Sequence, residues 1–116
     1  MKASGEQVIK GVIAYVENDV LPKINGWQKI SFGIAISFIQ RKSTEMLADL
    51  KTNKLVQTLG LISEDGLIDI DTLLSSVIDS MNRYSGGRLE VDGGAMFGKF
   101  SFSEQDLHKI YSFIKG

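Results

Sequence analysis

The chain has 116 residues, 43% of them hydrophobic and 23% charged, with a formal net charge of -1. That length fits one domain spanning 1–116 with one modest core, and the composition argues against intrinsic disorder. The near-neutral balance gives no global attraction to nucleic acid or an acidic membrane, and the lack of Cys excludes disulfides and thiolate metal sites.

No apolar segment precedes Val8, so no signal peptide is expected. Ser4 is a predicted N-cap, with Gln7 three residues on as a capping-box partner. Val8, Ile9, Val12, Ile13, Val16, Val20 and Leu21 follow at helical spacing. Their β-branched content lowers helix propensity, so this helix must depend on packing. Pro22 should kink or end it. Asn25–Gly26 can turn the chain into an antiparallel partner helix.

The stretch 30–39 is the most apolar run and admits two readings. Ile30, Phe32, Ile34, Ile36 and Phe38 alternate as in a strand. Phe32, Ile36, Ile39, Ser43, Met46 and Leu50 form one helical stripe. The stripe runs on past the apolar run, whereas the alternation stops at Gln40, so we expect a buried helix. Its first half is apolar all round and needs cover on both sides, and Gly33 and Ser37 would let another backbone come close. The run is too short to span a bilayer, which takes roughly 20 apolar residues. An interfacial membrane role, suggested by Trp27, Lys29 and Arg41–Lys42, is the lesser reading.

A short helix is expected over 54–59, capped by Asn53 and stopped by Gly60, with Leu61 packing back on it. Asp65–Gly66 signals a tight turn with at most two residues of strand on each side. Asp69 or Asp71 should cap a helix bearing Leu73, Leu74, Val77, Ile78 and Met81, ended by Ser85, Gly86 and Gly87. Arg88 to Val91 and Ala95 to Phe102 read as a hairpin around Asp92–Gly93–Gly94. In that hairpin Met96, Phe100 and Phe102 would share one face, and Phe97, Lys99 and Ser101 the other. Ser103 and Asp106 form a capping box for a last helix carrying Leu107, Ile110, Tyr111 and Ile114. The expected fold is α+β and mainly helical: a helix hairpin and two further helices packed with a small antiparallel β-hairpin near the C-terminus.

Chemical motifs are sparse. Aligning Gly66 with the invariant glycine of a calcium loop leaves Leu61 and Thr72 where carboxylates are required, so no metal is expected. The sole histidine, His108, falls beside the apolar face of its helix and reads as solvent-exposed. Caps and turns account for Glu64–Asp65 and Asp69–Asp71. The glycine pairs match no phosphate-binding pattern. No catalytic residue, cofactor or small-molecule substrate is expected. Arg88 and Lys99, near the aromatics 97, 100 and 102, are the candidate contacts of a second reading, a small nucleic-acid-binding regulator. The first reading is a non-enzymatic interaction or assembly module that binds itself or another protein. Its candidate surface is Phe32, Ile36, Ile39, Phe97 and Phe100, because so short a chain carries more apolar surface than it easily hides.

Residues 14–23 (AlaTyrValGluAsnAspValLeuProLys), Trp27–Lys29 and 59–71 (LeuGlyLeuIleSerGluAspGlyLeuIleAspIleAsp) resemble small proteins encoded in phages and prophages of Gram-positive bacteria. The resemblance covers the first two-thirds of the chain. Its shared features are caps, a proline and a turn, so it transfers no catalytic residue. It implies a product made in the bacterial cytoplasm, either remaining there or joining a virion.

Overall fold

The computed structural model describes residues 1–54, 62–63 and 65–116. Most of the short helix expected at 54–59, with Gly60 and Leu61, lies outside the described residues. The fold is α+β and mainly helical, with two small antiparallel strand pairs.

The first pair joins β1 (Lys2–Ser4) to β2 (Leu67–Asp69), matching Lys2 with Asp69, Ala3 with Ile68 and Ser4 with Leu67. The Asp65–Gly66 turn leads into β2. Gly66 takes φ 79°, and Ser63 N donates to Leu67 O at 2.9 Å. The Asp65 carboxylate accepts from Leu67 N at 3.2 Å and from the Ser63 hydroxyl. These bonds, the Ser63 hydroxyl first, hold its pKa below the ordinary carboxylate value. The acid is thereby engaged in closing its own turn.

Helix α1 (Gly5–Tyr15) starts at Ser4, whose Oγ accepts from Gln7 N at 3.1 Å. The Gln7 side chain does not complete a capping box; its Nε2 donates instead to Ile114 O, 3.0 Å away at the far end of the chain. Pro22 has no N–H and cannot sustain the α-helical ladder. Ahead of it the helix widens into a π-helix over Val16–Val20, where Leu21 N donates to Val16 O, and then tightens to a 3₁₀ turn over Leu21–Lys23. Gly26, at φ 60°, reverses the chain into α2 (Gly26–Thr52). The stretch 30–39 is therefore helical.

Asp69 caps α3 (Ile70–Tyr84) by accepting from Thr72 N at 3.1 Å. Gly86 and Gly87, at φ 59° and 85°, end it, and Gly87 N returns to Met81 O at 3.0 Å. The second pair, β3 (Arg88–Asp92) with β4 (Lys99–Ser103), is joined by α4 (Gly94–Phe97). This connection differs from the expected hairpin. Gly94 and Gly98, both at positive φ, bracket one helical turn, and Asp92 Oδ1 anchors it by accepting from Gly94 N at 2.9 Å. Strand β4 thus begins at Lys99 rather than Ala95. Phe97 leaves the strand and lies on the same side as Phe100, not opposite it. Finally, α5 (Glu104–Lys115) opens with a complete capping box between Ser103 and Asp106.

The core gathers where β1, the start of α3 and the end of α5 meet. Ala3, Ile70 and Ile114 are buried there, with Val8, Ile68, Ile110 and Tyr111 packed around them. The closest helix contact is α1 on α5: a Cβ on Gly11 would fall 2.4 Å from Ile114 Cα. Lys109 reaches Asp19 at 2.9 Å and ties the π-helix to α5. By contrast α1 and α2 splay apart around an open cleft of about 550 Å³ with a mixed polar lining. Among the described residues no helix is long and apolar enough to cross a membrane.

Candidate interaction face

At 1.5 Å per residue α2 is about 40 Å long, comparable with the 42 Å longest dimension of the protein. Of the stripe the periodicity singles out, Phe32, Ile36, Ile39 and Ser43 are half-buried and Met46 is exposed, while the side chain of Leu50 lies outside the described residues. Phe32 stands edge-on to Phe97 and Phe100, with ring centroids 5.2 and 5.5 Å away. Gln28 Nε2 donates to Phe97 O at 2.5 Å and fixes the same end of α2 to the hairpin. Near the other end Leu47 packs over Gly5, where an added Cβ would meet its Cδ2 at 2.3 Å.

Among the described residues the opposite stripe has no such cover. Trp27, Ile30, Ile34 and Phe38 follow at spacings of three, four and four and are 65%, 52%, 62% and 51% exposed. Gly33 and Ser37 flank them and are also exposed, and a Cβ on Gly33 would meet nothing within 4 Å. Beyond Phe38 the same line becomes charged, at Arg41 and Glu45. Each of the four apolar side chains would contribute on the order of 1.5–3 kcal/mol if moved from water to a packed contact. The whole chain exposes 7840 Å², whereas a folded monomer of 12.8 kDa is expected to expose about 6,300 Å².

The sequence-derived surface residues lie elsewhere. Phe32, Phe97 and Phe100 pack on one another, and Ile36 and Ile39 share their inward side. Phe32, Phe97 and Phe100 also line an apolar groove of about 320 Å³ between α1, α2 and the hairpin, with Val12, Val16 and Phe102. The outer stripe escaped the sequence reading because it repeats with the same period. Its one signal was the all-round apolar character of 30–39.

Arg88 and Lys99 are not gathered into a patch. The strand register puts them at opposite ends of the hairpin, with Lys99 across from Asp92. Arg88 donates to Ser101 Oγ at 2.6 Å, and that hydroxyl donates in turn to Glu90 at 2.9 Å. His108 is exposed, with Glu104 one turn before it at 3.9 Å. Tyr15 is buried against Phe113 at 6.1 Å. Its pKa is raised, first by burial and then by Asp106 and Asp19. Among the described residues no three His, Cys, Asp or Glu side chains are grouped to hold a metal ion. No known protein family, curated protein or solved structure matches the chain.

Proposed function

We propose that this chain is a non-enzymatic protein–protein interaction or assembly module, and that its contact surface is the outer face of α2. The observation that carries this reading is the exposed stripe of Trp27, Ile30, Ile34 and Phe38 on one rigid helix. Contiguous apolar surface of this kind marks contact sites, and aromatic residues are enriched at their centres. The phage context implied by the sequence resemblance supports an assembly role, with the partner another copy or a second product of the same phage, in the bacterial cytoplasm or in a virion.

Light scattering on the purified chain tests the reading. A contact made by apolar burial persists or strengthens in salt, whereas one made on phosphates weakens steeply. The native chain should form a species larger than a monomer that survives about 0.5 M salt, where surface charges are screened. Ile34→Lys should be monomeric with an unchanged circular dichroism spectrum. A native chain that is monomeric at every concentration defeats the self-association half of the reading, and an Ile34→Lys variant that assembles like the native chain removes the outer face of α2 as the contact surface.

A further inference from the structure

We infer that the outer face of α2 packs antiparallel on the same face of a second copy, about a two-fold axis beside Ile34. The inference rests on the proposed interaction role and specifies its partner and geometry.

The order of residues along the stripe suits a second copy. A two-fold contact must be self-complementary along its stripe. With the axis at Ile34, that residue meets its own copy, and Ile30 meets the partner's Phe38. Trp27 then lies against the partner's Arg41, a pairing of indole face and guanidinium. One turn further, Glu45 reaches the N-terminal end of the partner's α2, just after the partner's Lys23. An acid is favoured there by the helix dipole and by the lysine. Glu45 and Arg41 are both exposed on the stripe.

Charge also selects the register. Moving the axis half a turn toward the N-terminus would pair the apolar residues with one another equally well. It would, however, bring Arg41 onto Lys23 and the positive end of a helix, which is repulsive. Gly33 and Ser37 flank the stripe and permit close helix approach, since no described residue occupies the space beside Gly33. An anionic membrane is a poorer occupant, because Glu45 lies on the same line as the apolar residues.

The chain has no Cys, so single engineered thiols report the geometry by oxidative cross-linking. Ile34→Cys should form a disulfide-linked dimer on the order of a hundredfold faster than Ser75→Cys on exposed α3, because proximity raises the effective concentration at micromolar protein. Trp27→Cys and Arg41→Cys should each cross-link slowly alone and quickly when mixed. Rapid cross-linking of Trp27→Cys with itself would show parallel helices and overturn the geometry. A native dimer by light scattering with no preference for Ile34→Cys over Ser75→Cys would overturn it too, while leaving the interaction role standing. A monomer that floats with phosphatidylglycerol vesicles would overturn both in favour of a membrane surface.

Discussion

Helix α1 carries Val and Ile and helix α2 carries Ile and Phe, yet the fold treats the two in opposite ways. In the eleven residues of α1, Gly11, Ile13 and Tyr15 are all buried. In the 27 residues of α2, only Ser31 is buried among those whose side chains are described. The difference lies in what stands opposite. Helix α1 faces α5 at a glycine, so the two backbones touch and their side chains interlock. Helix α2 is held through Gln28, Phe32 and Leu47 on one side, and no described residue covers the other. Apolar content therefore does not decide burial; the geometry of the neighbour does.

The largest effect is expected where the first helix is closest to its neighbour. A methyl group on Gly11 would lie 2.4 Å from Ile114 Cα and 2.7 Å from Ile114 N. Both are backbone atoms and cannot rotate away. Gly11→Ala should therefore lower stability in urea denaturation by about 3 kcal/mol, the upper part of the overpacking range. The same change at exposed Gly33, inside α2, should leave the monomer unchanged or slightly more stable, since alanine is the better helix former by about 1 kcal/mol. Equal responses at the two glycines would remove the contrast between the helices.

The next effect separates the two faces of α2 with positions two residues apart. Ile36→Asp places a carboxylate on the half-buried side and should cost about 2 kcal/mol. Ile34→Asp places it in water and should change the stability of the monomer by less than about 0.5 kcal/mol. Any larger loss at Ile34 should shrink as protein concentration falls, because it then reports lost association rather than lost folding. A concentration-independent loss at Ile34 as large as that at Ile36 would show that the outer face is covered within the chain.

Local signals were legible in the sequence and distant ones were not. Ser103 with Asp106 and Gly86–Gly87 after Met81 each close within a few residues, so residue type and spacing suffice to read them, whereas Asp69 and Asp71 fit the same cap signal and only the structure selects Asp69. The pairing of Lys2–Ser4 with Leu67–Asp69 joins segments far apart, and three short residues carry no alternation to announce it. Gly11 interrupts an otherwise unbroken helical pattern, a mark of close approach, but nothing in the sequence points to Ile114 as its neighbour. Gly94 and Gly98 permit a helical turn inside what reads as a strand, and that turn moves Phe97 to the side of Phe100. For α2 the period is legible, and the polar residues after Gln40 show which stripe turns inward. The same argument leaves Trp27, Ile30, Ile34 and Phe38 for the outside. Of the contact surface expected from the sequence, Phe32, Phe97 and Phe100 line the apolar groove between α1, α2 and the hairpin.

The smallest effects are those of pH, and they fall on opposite sides of neutrality for the two environments. Tyr15, enclosed at the end of α1, has a pKa raised above the ordinary 10.0, chiefly by burial. A raised folded value means the unfolded chain ionises first, so the contribution of Tyr15 is complete below about pH 10 and lost as pH rises through its folded pKa. Asp65 and Asp69, on the exposed turn and cap, have values lowered from 3.8. The main causes are the Ser63 hydroxyl for Asp65 and Thr72 N–H for Asp69. Their contribution is complete above about pH 4 and lost as pH falls through their folded values. Thermal midpoints measured across pH should thus decline at both ends. Tyr15→Phe should flatten the alkaline decline and leave the acid one intact. Asp69→Asn keeps a capping acceptor and should flatten only the acid decline. An alkaline decline that survives Tyr15→Phe unchanged would mean that the end of α1 is as open to water as the outer face of α2.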